Sequence, residues 1–237
     1  QLGALTTDEV VALGTAQVAA LTSAQTAGLT TDQVAKIETD DLRALSTAAL
    51  SKLSSDQFTA LSSDQISSLT TAQIAALATS PVNQFAAMNT DEIQALTTAQ
   101  AAAITSAQVK GLSTDQVKAL ETDDLRALNT AALRNLGTDQ LAALDSDQIG
   151  ALTTAQVSNL TTAQIKGLGS DDLNALTTEQ VRVLSSSQIA ALTTDQLKTM
   201  TTDDVAAIST AGIRGLSSTQ LGALTTDEVV ALGTAQV

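Results

Sequence analysis

The chain has 237 residues, 43% of them hydrophobic, and its 25 acidic against 11 basic side chains give a net charge of −14. Such an acidic surface repels nucleic acid and anionic lipid, and no apolar stretch approaches the roughly 18 residues of a membrane span, so we expect neither kind of partner. His, Cys, Trp and Tyr are all missing. This composition lacks the usual catalytic side chains, and we expect no enzymatic activity and no cofactor.

An eight-residue repeat, here called the octad, runs along the whole chain. It begins with Leu or a close substitute and continues with a polar residue, Ser or Thr, Asp or Ala, Gln, Glu or Asp, then Val, Ile or Leu, a variable residue and a small one. The third position is Ser or Thr in every copy, from Thr7 to Thr234. The leading apolar residue, here called the anchor, occurs at 5, 13, 21, 29, 37, 45, 53, 61, 69 and 77, and at every eighth residue from 88 to 232. Fixed self-similarity of this kind is typical of repeat architectures.

Each octad has the features of a helix start. After Leu5 come a capping hydroxyl, the acids Asp8 and Glu9, and good helix formers. Thr7 serves as the cap in this interpretation, although Thr6 with Glu9 also fits a capping box, so the choice is open by one residue. A helix end favours Gly, and several glycines directly follow an anchor: Gly14, Gly137, Gly169 and Gly233.

One continuous helix does not fit the octad. Eight residues at about 100° each advance about 800°, so a Leu stripe drifts by about 80° per octad and soon circles the helix. The helix must therefore break once per octad, at the Ser/Thr pair. A β-solenoid is the competing interpretation, because Thr and Val favour strands, but the apolar spacing of five then three is not an alternation and favours helix.

Short helices of this size are unstable alone and must pack on other octads. We therefore predict an all-α solenoid with one short helix per octad, Leu and Val/Ile inward, and Thr, Gln and Asp outward. The fourth position is Asp at 8, 32 and 56 but Ala at 24, 48 and 72. This period of 24 residues favours three octads per turn.

The octads are organised in longer blocks, 6–88, 89–168 and 169–224, within a single continuous array over 1–237. Residues 220–237 repeat residues 1–18 letter for letter, so we expect the chain to be a window of a longer tandem array. The first block has three extra residues, which fall at 78–83 and include the only proline, Pro81. Proline suits the first helical position, which predicts one longer helix there.

The candidate binding residues have structural explanations. Acid pairs, which might bind Ca²⁺, are interpreted as charges at helix starts, with no metal site: Asp40-Asp41, Asp123-Asp124, Asp171-Asp172 and Asp203-Asp204. The cations lie mainly in the two residues before an anchor, where the helix dipole favours them: Lys36, Arg43, Lys52, Lys110, Lys118, Arg126, Arg134, Lys166, Arg182, Lys198 and Arg214. Regular Ser/Thr hydroxyls might bind ice or carbohydrate, but capping also explains them.

The octads resemble the L-T-T-x-Q-[VI]-x-A-L runs of very large bacterial surface and secreted proteins, many of them described as adhesins. The resemblance covers all 237 residues. It implies an extracellular or cell-surface role as a filament or stalk that provides length and associates with other copies of itself. The alternative is a binding module that uses a Ser/Thr-rich ridge to recognise ice, carbohydrate or another surface.

Overall fold

The structure, a computed structural model, describes residues 2–80 and 83–236. Its described residues form a 3₁₀ turn at Leu2–Ala4 and 28 α-helices of four to six residues, with no strand among them. The β-solenoid is therefore excluded for this part of the chain, and the predicted all-α repeat is confirmed. The chain divides into two compact units, residues 1–129 and 130–237.

The first unit contains fifteen of the described helices. They are α1 Thr7–Val11, α2 Thr15–Ala19, α3 Ser23–Ala27, α4 Thr31–Ala35, α5 Thr39–Ala44, α6 Thr47–Leu50, α7 Ser55–Phe58, α8 Ser63–Ser68, α9 Thr71–Ala76, α10 Gln84–Ala87, α11 Thr90–Gln94, α12 Thr98–Ala103, α13 Ser106–Val109, α14 Thr114–Lys118 and α15 Thr122–Ala127.

The second unit contains the other thirteen described helices. They are α16 Thr130–Arg134, α17 Thr138–Leu141, α18 Ser146–Ala151, α19 Thr154–Asn159, α20 Thr162–Gly167, α21 Ser170–Asn174, α22 Thr178–Arg182, α23 Ser186–Ala190, α24 Thr194–Thr199, α25 Thr202–Ala207, α26 Thr210–Arg214, α27 Ser218–Leu221 and α28 Thr226–Ala231.

Within each unit a helix packs on the helix three places along the chain. In the first unit α2 contacts α5, α5 contacts α8, and α9 contacts α12; in the second, α16 contacts α19, α19 contacts α22, and α22 contacts α25. Three octads therefore form one turn, as the 24-residue period predicts. Each turn packs on the turn before it and the turn after it, which is the nearest-neighbour organisation of a solenoid.

Two apolar positions of each octad form the core. Between the first and last turns the anchors are buried, as at Leu53 and Leu120. The sixth position is more completely buried there, as at Val34, Ile74 and Leu125, which have no exposed surface. Burying such a side chain contributes about 1.5–3 kcal/mol relative to leaving it exposed. This packing stabilises helices that are far too short to form on their own.

The helix cap lies one residue earlier than the third-position interpretation placed it. In α1, the Glu9 amide donates to the Thr6 hydroxyl oxygen at 3.2 Å, while Thr7 is the first helical residue. The same correction applies to the glycines after the anchors. Gly14, Gly137 and Gly169 are N-caps with φ between −81° and −64°, so they begin helices and do not end them.

The predicted longer helix around the three extra residues is wrong for the residues that the structure describes. Residues 78–80 and Asn83 are not helical, and α10 has only four residues; Pro81 lies outside the described residues. The Ala86 amide donates to Asn83 Oδ1 at 3.0 Å, so Asn83 is the cap. The extra residues thus lengthen the connection before α10, and the helix keeps its usual size.

Candidate interaction site: the bridging position of the octad

The fifth position of the octad, here called the bridging position, joins consecutive turns. In α9, Gln73 Oε1 accepts hydrogen bonds from the amide and the hydroxyl of its own cap, Thr70, at 2.8 and 3.0 Å. Its Nε2 donates to the carbonyls of Leu42 and Leu45 in the preceding turn, both at 2.9 Å. The side chain is only 2% exposed. One carboxamide thus completes the start of its own helix and holds the end of another.

This arrangement recurs in both units. In the first it is made by Gln33, Gln57, Gln65, Gln73, Gln84, Gln100, Gln108 and Gln116. In the second it is made by Gln164, Gln180, Gln188, Gln196, Gln220 and Gln236.

The three extra residues leave the bridge intact. Gln73 reaches carbonyls 31 and 28 residues earlier, whereas Gln100 reaches those of Ile66 and Leu69, 34 and 31 residues earlier. Gln84 takes its backbone hydrogen bond from Ala78 across the longer connection, at 2.9 Å. The partners are therefore always the anchor three octads back and the end of the helix that precedes this anchor, whatever the number of residues between.

The accepting carbonyls lie at the end of a short helix, where the anchor's own carbonyl, such as that of Leu45, has no helical partner. A buried carbonyl without a partner is costly, and each satisfied neutral hydrogen bond contributes about 0.5–1.5 kcal/mol. The sequence-based expectation that Gln faces outward is therefore wrong. The capping-box spacing predicts that the side-chain oxygen of Gln binds the amide of its own cap. It does not predict what the NH₂ group of the same side chain binds.

Some octads carry an acid at the bridging position, and beyond the exposed Glu9 of the first turn these acids are buried or half-buried. Glu92, Asp124 and Asp204 are between 2% and 5% exposed, and Asp172 is half-buried. Burial is the main cause that raises the pKa of each of these four carboxyls above its ordinary value. Neighbouring acids raise it further, Asp91 beside Glu92 being one example, while hydrogen bonds such as that of Thr98 to Asp124 oppose the shift.

The two members of each acid pair lie in different environments. The first member of each pair is exposed in the first helical turn, where the dipole interpretation placed it: Asp40, Asp123, Asp171 and Asp203. The second member occupies the bridging position and faces inward, which the sequence analysis missed. Among the described residues, no group of three or more carboxylates is placed to hold a metal ion.

The eleven cations are all exposed, and most lie in the last turn or at the C-cap of their helices, as predicted. Arg182 pairs with Glu179 of its own helix at 2.9 Å, with both side chains more than half exposed. A surface pair of this kind contributes at most about 1 kcal/mol. The cations therefore lie on the outer surface.

The third-position Ser or Thr is the first residue of its helix and does not cap it. Capping therefore does not explain why this position is always Ser or Thr. Some of them contact the following turn: Ser23 Oγ donates to the Ala48 carbonyl at 3.0 Å, and Ser146 Oγ donates to Asp172 Oδ1 at 3.2 Å. Others, such as Thr47 and Thr71, are exposed.

These features define a class: an all-α solenoid of octapeptide repeats whose turns are joined by buried glutamines. The sequence ALTTAQ at 95–100 holds its elements in order, from the anchor Leu96 through the cap Thr97 to the bridging Gln100. The chain belongs to the ALTTAQ repeat family. The family model matches residues 1–31, 34–71, 85–122, 117–154, 150–178, 165–202 and 199–234.

Other comparisons add little to this assignment. A leucine-rich repeat-containing protein, LegL7 from Legionella pneumophila, is similar at 12% identity over 84% of this chain and 77% of that chain. Its TM-score of 0.25 is too low for any argument from the superposition. A search of the curated proteins found no match. Among the described residues, no helix has the length and apolar composition needed to cross a membrane.

Proposed function

We propose that this chain is a segment of an extracellular or cell-surface filament or adhesin stalk, which provides length and associates with other copies of itself. On this proposal it is a structural protein without enzymatic activity. The observation that carries the proposal is the bridge from the buried glutamines to the anchor three octads back. Within the described residues successive turns offer carbonyls at the same place, so the same arrangement can be repeated to any length.

A fold that can be extended turn by turn suits a stalk. Stability in a nearest-neighbour solenoid grows with the number of repeats, because each added turn buries a further set of anchors and sixth-position side chains. The exact repetition of residues 1–18 at 220–237 places the same octads again after 219 residues. An array built from such units keeps one surface chemistry along its whole length.

The outer surface supports side-by-side association of chains. Exposed acids in the first helical turns, such as Asp32 and Asp195, and exposed cations near the helix ends, such as Lys36 and Lys198, alternate on it. Contacts between such surfaces are polar and are screened by salt at physiological ionic strength and above. Repeated contacts that do not close on themselves generate bundles or helical assemblies.

Electron microscopy of a chain with several 219-residue units tests the proposal. Thin fibres whose length scales with the number of units, and whose bundling decreases as salt is raised, are expected. A matched chain in which exposed Asp32 and Asp195 are replaced by Asn should bundle differently and keep the same fibre length. Compact, monodisperse particles with a small-molecule turnover activity would overturn the proposal.

A second function is favoured by one observation, the third-position hydroxyl that does not cap its helix. Exposed third-position hydroxyls, Thr47 and Thr71 among them, could form a ridge that binds ice, carbohydrate or another surface. Replacing these two threonines by Ala should then reduce adsorption of the chain to ice or to a polysaccharide matrix, with helix content unchanged in circular dichroism. Equal adsorption of the two chains would remove this candidate.

A further inference from the structure

Two third-position hydroxyls bind acids at the bridging position of the following turn. Ser146 Oγ, at the start of α18, donates to Asp172 Oδ1 at 3.2 Å. The Thr98 side chain, at the start of α12, hydrogen-bonds to the Asp124 carboxyl. Each donor lies 26 residues before its acceptor, three helices earlier in the chain. This contact runs forward along the chain, whereas a bridging glutamine donates backward to an earlier turn.

Two more octads of the first unit have a short residue at the bridging position, Asp41 and Ala49. In the octad of Ala49 the adjacent carbonyl, that of Ala48, accepts a hydrogen bond from Ser23 Oγ at 3.0 Å. Thr15 occupies the corresponding place before Asp41, but no hydrogen bond joins these two side chains. The forward contact thus reaches an octad with alanine as well as octads with aspartate.

Octads with glutamine at the bridging position lack this contact in the cases that match best. Thr47 lies three octads before Gln73, and Ser170 lies three octads before Gln196. Both glutamines donate backward to carbonyls of the preceding turn. Within the described parts of the chain, neither Thr47 nor Ser170 donates to the following turn. The forward hydroxyl and the backward amide are therefore alternatives.

The cap of an acid octad provides the remaining donor in some turns. Asp204 follows the cap Thr201, whose hydroxyl donates to Asp204 Oδ2 at 2.6 Å. Asp172 follows the cap Gly169, which has no side chain to offer. The Ser146 hydroxyl of the preceding turn takes over as the donor there. A carboxylate left in such a place without a donor would be costly.

We propose that the third-position hydroxyl is a second link between consecutive turns, which holds the octad three places later when a residue too short to bridge stands there. An ionised Asp is shorter than Gln and has no donor, so it cannot bind the carbonyls of the preceding turn. The third position is Ser or Thr in every copy, so a hydroxyl is in place wherever a short residue stands three octads later. The link lies within one chain and is independent of any association between chains.

Urea denaturation of the 237-residue chain tests the link through Ser146→Ala. This variant should lower the equilibrium constant for folding about five- to tenfold, because the half-buried Asp172 carboxyl loses a hydrogen bond. Ser170→Ala is the matched control, since it makes the same change at the first residue of a helix three octads before Gln196. It should change the constant by less than about twofold. Equal effects of the two variants would overturn the inference.

The pKa of Asp172 distinguishes a link from a general effect on packing. The Ser146 hydroxyl lowers this pKa, against burial and the neighbouring Asp171 and Asp145, which raise it. Ser146→Ala should therefore raise the pKa of Asp172 further, and Ser170→Ala should leave it unchanged. Titration followed by NMR of the carboxyl carbons measures both. A pKa of Asp172 that is the same in wild type and Ser146→Ala would contradict the link.

A change of the acceptor tests whether the two links are alternatives. Asp172→Gln supplies an amide that can bridge backward, and a glycine cap accommodates such a glutamine: the Gly14 amide donates to Gln17 Oε1 at 2.8 Å. In the Asp172→Gln chain, Ser146→Ala should change the equilibrium constant for folding by less than about twofold. A loss as large as that in the wild-type chain would show that Ser146 acts without Asp172, and the inference would be wrong.

Discussion

In the octad of Gln73, the side-chain amide donates to the carbonyls of Leu42 and Leu45 in the preceding turn. In the octad of Asp124, the carboxyl takes a hydrogen bond from the Thr98 side chain of the preceding turn, and its Oδ2 is buried without a partner. Both side chains are 2% exposed. The same position of the octad thus holds either a neutral amide whose donor and acceptor atoms all have hydrogen-bond partners or a carboxyl with one oxygen that has none. The difference teaches that the anchors determine whether an octad folds, and the bridging position determines how strongly consecutive turns hold each other.

The largest effect on stability is expected at the anchors, which the two octads have in common. Leu69 and Leu120 are their anchors, 4% and 1% exposed. Leu69→Asp and Leu120→Asp should each lower the free energy of unfolding by roughly 4–5 kcal/mol, because each loses apolar burial and places a charge in the core. Urea denaturation of the full chain measures this. A clear difference between the two variants would mean that the bridging residue also determines how the anchor packs.

Truncating the side chain at the bridging position should change the free energy of unfolding by different amounts in the two octads. Gln73→Ala removes the acceptor of the Thr70 amide and the donor to the buried Leu45 carbonyl, while the Leu42 carbonyl keeps its hydrogen bond from the Leu45 amide. We expect a loss of roughly 2–4 kcal/mol. Asp124→Ala should change stability by less than about 1 kcal/mol, because the lost hydrogen bond is offset by relief of a buried carboxyl, and Ala49 and Ala132 already stand at this octad position. Equal losses in denaturation would contradict the importance of the bridge.

Converting an acid octad into a glutamine octad should stabilise the chain. Glu92 has the length to reach the preceding turn, where the register of Gln84 and Gln100 places the carbonyls of Phe58 and Leu61. Glu92→Gln should therefore raise the free energy of unfolding by about 1 kcal/mol. The control is Asp91→Asn, which removes one exposed charge next to it. A stabilisation shared by both variants would indicate charge repulsion and not a new bridge.

The smallest expected effect per residue is the change of stability with pH. Burial raises the pKa values of Glu92, Asp124, Asp172 and Asp204, so the folded chain holds these protons more tightly than the unfolded chain does. Their contribution to stability is present below the ordinary carboxyl pKa and is lost as pH rises through the raised values. The melting temperature should therefore be higher near pH 5 than near pH 7.

A matched pair of variants isolates the buried acids. Amide replacement of all four should reduce the pH dependence. The control is amide replacement of their exposed neighbours, Asp91, Asp123, Asp171 and Asp203, which lowers the net charge equally without touching a buried site. A stronger flattening by the control would assign the pH dependence to overall repulsion of the chain with net charge −14.

The sequence was sufficient for the class of fold, the three octads per turn and the two core positions, because the octad period forces helix breaks and the fourth-position pattern repeats every 24 residues. It was insufficient for Gln73 and its equivalents. Hydrophobic periodicity assigns glutamine to the outside, and only the geometry of a preceding turn shows that its NH₂ group has carbonyls to meet. The cap stayed open by one residue for a related reason, since Thr6 and Thr7 carry the same side chain and only backbone geometry identifies Thr6 as the cap.

The connection at 78–83 has a consequence for how such genes change in length. Three added residues there left Gln84 and Gln100 bound to the anchor three octads back and to the helix that precedes it. The fold therefore depends on the number of octads and not on the number of residues between them. Replication slippage that gains or loses one octad gives every later octad a new neighbour of the same chemistry, and the protein continues to fold. Variation in octad number among otherwise similar genes is the expected outcome.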